Sequence, residues 1–177
     1  LKNCAPERVF TAQIDVTNEK ADEALFQLIE QMGGLNLYFH SAGIGWKNPT
    51  LEPEKEMKTM QTNGLGFVRM VGEAYRYFVT HGGGHIVCIT SVAGTKGIGA
   101  IPAYSATKAM QNTYLQALEQ LANNHRYNIR FTDIRPGFVD TPLLSDSSHF
   151  PMLMKTEDVA KSIMKAIEKK RHVSVID

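Results

Sequence analysis

His85-Ile86-Val87-Cys88-Ile89-Thr90-Ser91-Val92-Ala93-Gly94, followed at position 104 by Tyr104-Ser105-Ala106-Thr107-Lys108, is the stretch whose reading decides the fold. Gly82, Gly83 and Gly84 close the helix before it. The short apolar run that follows reads as a buried strand. Ser91 stands where that strand runs out. In open α/β sheets, ligands bind at the carboxyl ends of strands. A hydroxyl there can hold a substrate oxygen, although a serine at such a place more commonly caps a turn.

Tyr104 and Lys108 are four apart, so on a helix they share a face, one turn from each other. A free tyrosine titrates near pH 10 and is a poor base at neutrality. An ammonium beside it favours the phenolate. Moving the phenol to about pH 7 requires about 4 kcal/mol. One nearby lysine plus a positively charged oxidised cofactor can supply that in a partly desolvated site. The product would be a general acid/base suited to a hydroxyl or carbonyl. Read alone, the pair is ordinarily a solvated helical pair; three neighbouring segments give it weight.

Leu35-Asn36-Leu37-Tyr38-Phe39 is a second short strand, running into Ser41-Ala42-Gly43, where small residues let backbone approach a ligand. Asn63-Gly64 interrupts an apolar-periodic helical stretch over roughly 54–80, which is costly for a helix. It is either a boundary between two helices or a local break that frees a carbonyl for a water. Arg135-Pro136-Gly137-Phe138-Val139-Asp140-Thr141-Pro142 directly follows the strand-like Ile129 to Ile134.

Together these residues resemble the short-chain dehydrogenase/reductase family. The matching pieces are Asp15-Val16, Ser41-Ala42-Gly43, Asn63, Ser91 with Ala93-Gly94, Tyr104 with Lys108, and Pro136-Gly137 through Thr141. The resemblance implies that Tyr104 is the proton donor or acceptor, and that Lys108 lowers its pKa and holds the nicotinamide ribose. Ser91 would orient the substrate oxygen, and Asn63 would fix a water through its main chain. Asp15 would bond the adenine amino group, with Val16 against the ring. Ala42 and Gly43 would line the adenosine ribose. Val139 and Thr141, after Pro136-Gly137, would hold the nicotinamide carboxamide. The implied cofactor is NAD(P), which does the hydride chemistry. NADP is favoured only as the commoner choice in such reductases.

Two features depart from the family pattern. His40-Ser41-Ala42-Gly43 stands where the family has Asn-Asn-Ala-Gly, and His40 reads as a structural filler rather than a catalyst. No Gly-x-x-x-Gly-x-Gly phosphate loop occurs in the 177 residues. That loop normally places backbone amides against the pyrophosphate. Val9 to Ile14 then reads as the third strand of the family fold, and the first strands and the loop are expected on a further N-terminal stretch of roughly 50 residues or more. The expected architecture is a Rossmann-type doubly wound parallel sheet with helices on both faces, one incomplete domain over 1–177.

Composition agrees with such a domain: 43% hydrophobic, 21% charged, net charge +1, nothing that suggests nucleic-acid binding. No apolar stretch approaches the length needed to span a bilayer. Cys4 and Cys88 form no metal or redox motif, so no metal is expected, and a cytoplasmic setting is the default. A helix is expected from Ala21 to Met32, with Thr17 as its N-cap and Gly33-Gly34 closing it. Further helices are expected after Tyr104, to about Asn123-Asn124, and after Thr156. Val173 to Ile176 reads as a strand. Met57, Met60, Phe67, Met70 and Val71 read as core or interface. Pro142 to Lys155 is the one long irregular segment, and segments of that kind are often lids. Its Leu143, Leu144, Phe150, Met152, Leu153 and Met154 either face an apolar substrate or pack the segment itself.

The leading expectation is an NAD(P)-dependent oxidoreductase that interconverts a secondary alcohol and a ketone, possessing no metal and acting on a small molecule. The alternatives are a sugar-nucleotide epimerase or dehydratase of the same superfamily, and a non-catalytic nucleotide-binding regulatory protein. The resemblance also implies a homodimer or homotetramer, built through the helices that hold Asn63 and Tyr104.

Overall fold

A computed structural model describes residues 8–144 and 152–177. Four strands form one parallel sheet in the order β1 (Leu37–His40), β2 (Gly84–Ile89), β3 (Ile129–Pro136) and β4 (Val173–Ile176). Neighbouring strands are joined by crossovers that contain helices, as parallel pairing requires. The helices are α1 (Ala21–Gln31), α2 (Pro53–Thr59), α3 (Phe67–Thr80), α4 (Pro102–Asn124) and α5 (Thr156–Glu168). This is the expected α/β architecture.

Alternation along the strands divides the core into two layers. Ile86 and Cys88 of β2, with Ile129 and Phe131 of β3, pack against α1, α3 and α4 through Ile29, Phe67, Val71, Phe78 and Leu115. Val87 and Ile134 face the other way, onto Ala166, Ile163 and Ile167 of α5. Gly83, at φ +107, carries the turn from α3 into β2 hard against the Asn128 carbonyl, where no side chain fits.

Two expectations need correction. Val9 to Ile14 forms no strand. A strand is defined by its ladder, and no described strand runs beside this segment. Thr17 is not the cap of α1, which starts at Ala21 with Lys20 at the cap position. Thr17 instead donates both its amide, at 2.9 Å, and its hydroxyl, at 2.7 Å, to Asp15 Oδ1. The stretch over 54–80 is helical throughout and interrupted where Asn63-Gly64 stands. It runs as α2, a wide π-helical turn over Met60–Gly66, and α3. Asn63-Gly64 sits inside that turn, so the cost read from the sequence is met by loosening the coil rather than ending it.

Candidate active site

β1, β2 and β3 pair in parallel with His40 level with Cys88 and Ile89 level with Ile134. Their carboxyl ends therefore open on one edge. Ser41-Ala42-Gly43, Ser91 and the segment after Pro136 all leave from it. Ser91 is extended and caps a short 3-10 turn over Val92–Gly94, its hydroxyl oxygen accepting from Ala93 N at 3.1 Å. Gly94 then lies directly on the backbone of α4. A Cβ there would come within 2.6 Å of the Lys108 carbonyl carbon, so the small residue after Ala93 is what lets the serine loop and the helix meet.

Asn63, Ser91, Tyr104 and Lys108 are brought together. The Ser91 hydroxyl faces the Tyr104 phenol closely enough to favour its ionised form. The Ser91 hydroxyl also lies 3.4 Å from the Pro136 carbonyl. Lys108 Nζ stands 5.5 Å from the Tyr104 ring centre and donates to the Ile89 carbonyl at 3.0 Å. Gly43 lies between Lys108 and Asn63: a Cβ on it would be 3.8 Å from Lys108 Nζ and 3.5 Å from Asn63 Oδ1. The Asn63 amide clamps the next residue, accepting from Ile44 N at 2.9 Å and donating to Ile44 O at 2.7 Å. It also reaches Thr107 Oγ1 at 3.3 Å, which ties the loop after β1 to α4. The Asn63 carbonyl, expected to hold a water, accepts from Gln111 Nε2 at 2.8 Å, which takes one of its two lone pairs.

The electrostatics differ from the sequence expectation in one respect. Burial pushes the Tyr104 phenol above its ordinary value, and the nearby Ser91 hydroxyl only partly opposes this. The chain by itself therefore keeps Tyr104 protonated. Lys108, 5.5 Å from the ring centre, is not among the causes that move the phenol. Burial lowers Lys108 to about 8, with Cys88 and Asp133 acting in the opposite sense. His40 is buried beneath the site and held near 4, chiefly by burial and then by the Lys108 charge. It bonds the Tyr38 hydroxyl through Nδ1 at 2.9 Å and meets Phe67 edge-on at 5.0 Å, as a packing residue would. Cys88 is fully buried and its thiol is pushed up.

The remaining expected residues lie along the same edge. Val16 is docked on the start of α3: Arg69 Nη1 donates to its carbonyl at 2.8 Å, and a Cβ on Gly66 would meet its side chain at 2.8 Å. Asp15, beside it, is exposed, and the bonds from Thr17 hold its carboxyl below the usual range. Ala42 is exposed and Gly43 half-buried. Gly137 N donates to Ile176 O at 2.8 Å. Val139 forms a parallel bridge with Met154, and Thr141 turns its hydroxyl back to within 3.4 Å of the Val139 carbonyl. Met154 pairs on both sides, donating to Phe138 O and accepting from Asp140 N, each at 2.9 Å. The ends of the irregular segment are thus stapled together. Phe150 and the rest of 145–151, like Cys4, fall outside the described residues.

This set of polar and small groups fits a nicotinamide dinucleotide. An exposed carboxylate, two residues without bulk, and a buried ammonium that spends one of three donors on Ile89 line one strand edge. Among the described residues no cluster of His, Cys, Asp or Glu could hold a metal ion.

Several participants were missed by sequence reading. Gln111 lies three residues after Lys108 on the same helix face, and that spacing was a usable signal. Asp133 is a buried carboxylate in β3, between Thr132 and Ile134. It is 5% exposed, accepts from Thr90 Oγ1 and pairs with Arg135 at 2.6 Å, which compensates its burial behind Lys108. Glu56 accepts from Ala103 N at 3.1 Å in the first turn of α4, and from Asn48 Nδ2 at 2.7 Å. Nothing local in the sequence pairs those positions.

Comparison with known proteins agrees with this geometry. The family described as short chain dehydrogenase matches residues 1–151. An uncharacterised oxidoreductase of Myxococcus xanthus is 32% identical over 160 residues, spanning 88% of this chain and 62% of its own length. One from Mycobacterium tuberculosis is 28% identical over 167 residues, spanning 92% and 65%. The chain thus spans less than two thirds of these relatives. A short chain dehydrogenase from Burkholderia cenocepacia in complex with NADP superposes with a TM-score of 0.82 at 21% identity, covering 97% of this chain and 70% of that one. A 7 alpha-hydroxysteroid dehydrogenase complexed with NADH and 7-oxo glycochenodeoxycholic acid gives 0.78 at 22% identity, covering 94% and 71%. At those identities the likeness is one of fold.

Proposed function

We propose, for a chain that belongs to the short chain dehydrogenase family, an NAD(P)-dependent oxidoreductase that interconverts a secondary alcohol and a ketone. The observation that carries this reading is the convergence of Ser91, Tyr104 and Lys108 at the carboxyl edge of the sheet. The nicotinamide, when bound, supplies or accepts the hydride. Tyr104, kept protonated by burial, donates a proton to the carbonyl oxygen in the direction of reduction. Ser91 holds that oxygen beside the phenol. Lys108, with a pKa near 8, is mostly charged at neutral pH and opposes the build-up of charge when the phenol gives up its proton. Asn63 holds the loop carrying Gly43 in place through Ile44.

Asp15, Val16, Ala42 and Gly43 would receive the adenosine half, and Lys108, Pro136, Gly137, Val139 and Thr141 the nicotinamide half. NADP is the cofactor we favour. Exposed Leu143 and Met152, at the two ends of the segment between Thr141 and Met154, support an apolar substrate. Met57, Met60, Leu65 and Val68 are exposed along the helices that hold Asn63, which supports a homodimer or homotetramer. No helix among the described residues is long and apolar enough to cross a membrane, and a cytoplasmic site of action is part of the proposal. The test is titration of the full-length protein with NADPH and with NADH, followed by nicotinamide fluorescence, then turnover of a panel of apolar ketones. Saturable binding of one coenzyme with ketone-dependent oxidation supports the reading. Absence of binding to both refutes it.

A further inference from the structure

The Tyr104 ring has a neighbour that belongs to none of the expected site positions. A Cβ on Gly45 would stand 2.6 Å from Tyr104 Cδ2, 3.1 Å from Cε2 and 3.3 Å from Cγ. Bare backbone therefore lies along the ring, where any side chain would displace it. Backbone conformation does not demand glycine here. The φ of Gly45 lies outside the left-handed region, unlike those of Gly33, Gly34, Gly82 and Gly83. What excludes a side chain is the tyrosine.

The backbone around Gly45 is held on both sides. One residue upstream, Asn63 grips both the amide and the carbonyl of Ile44. Three residues downstream, Asn48 is 1% exposed, donates its amide N–H to Ala100 O at 2.8 Å and its side chain to Glu56 at 2.7 Å. Glu56 in turn bonds Ala103, next to Tyr104. The strap from Ile44 to Asn48 is thus pinned to the π-helical turn, to α2 and to the entry of α4. Against a strap held in this way, the tyrosine ring is what must yield.

We propose that Gly45 is a positioning residue for Tyr104, its bare backbone setting where the phenol sits; this rests on the assignment of Tyr104 as proton donor. Bringing the shortest contact out to an ordinary 3.4 Å requires a ring shift of about 0.8 Å. A misplacement of that size can slow an enzyme by about 10²-fold.

The test compares full-length wild type, Gly45→Ala and the control Gly97→Ala, whose added Cβ would meet nothing within 4 Å. Gly45→Ala is expected to lower kcat for ketone reduction by roughly 10- to 100-fold. Its NADPH affinity should stay unchanged, and Gly97→Ala should keep wild-type values throughout. A kcat equal to wild type in Gly45→Ala overturns the proposal. A second arm needs no turnover, so it decides even if the enzyme reduces no ketone and the functional reading falls. Gly45→Ala should lower the melting temperature, or prevent folding, in the wild-type background but not when Tyr104 is replaced in Tyr104→Ala. The same loss in both backgrounds, or none in either, places the constraint elsewhere and overturns the proposal.

Discussion

Replacing Lys108 by methionine removes a charge but keeps an unbranched side chain, and the effect should depend on pH in a calculable way. Burial brings the folded pKa from the ordinary 10.5 to about 8. The unfolded chain therefore holds the proton more tightly between those values, and wild-type stability must rise with pH across the window from about 8 to 10.5. The full gap corresponds to about 3.4 kcal/mol. Between pH 7 and pH 9.5, the two-state linkage relation gives wild type a gain of about 2 kcal/mol that Lys108→Met lacks. Urea denaturation of both proteins at the two pH values measures this directly, since groups common to both cancel in the difference. Identical pH dependence in wild type and Lys108→Met would show that the ammonium is not desolvated at the site. The same result would remove the reason for its single firm bond to Ile89.

Asn63→Ala strands the amide and carbonyl of half-buried Ile44 and should lower unfolding free energy by about 2–4 kcal/mol in the same urea assay. Glu56→Ala removes the carboxylate from the first turn of α4 and should cost about 1–2 kcal/mol. A loss within about 0.3 kcal/mol would mean that the contact is idle. His40 has its folded pKa depressed to about 4, so stability is complete above the unfolded value of 6.5 and is lost as pH falls toward 4. Wild type should lose about 2 kcal/mol between pH 7 and pH 5 relative to His40→Gln, read from melting curves at each pH.

Strands and helices were legible where burial repeats with a period. Val87 on one face, with Ile86 and Cys88 on the other, marks β2 as covered on both sides. The stretch 129–134 was read correctly and extends to Pro136. Asn63-Gly64 was read as a weak point in a helix, and the π-helical turn is there. Val9 to Ile14 failed because an apolar run shows the capacity to pair and not the presence of a partner. Thr17 failed because α1 begins only at Ala21, four residues on, and the hydroxyl is spent locally on Asp15.

The site was legible as a set of residue types and much less so as an energy balance. Tyr104 and Lys108 announce themselves by spacing, but spacing does not report desolvation. Burial reverses the expected direction of the Tyr104 shift in the chain alone. Close approaches were invisible for a similar reason. Gly94 and Gly45 matter because of Lys108 and Tyr104, which are separated from them in sequence and brought near only by the fold.

The most direct measurement follows label from NADPH carrying deuterium at the transferable position of the nicotinamide, in wild type and in Tyr104→Phe. Wild type should deliver the label to the carbinol carbon of the product alcohol. Tyr104→Phe should bind the coenzyme as wild type does, yet transfer label about 10²- to 10⁴-fold more slowly. Label delivered at the wild-type rate by Tyr104→Phe would contradict the proton-donor role at the centre of the mechanism.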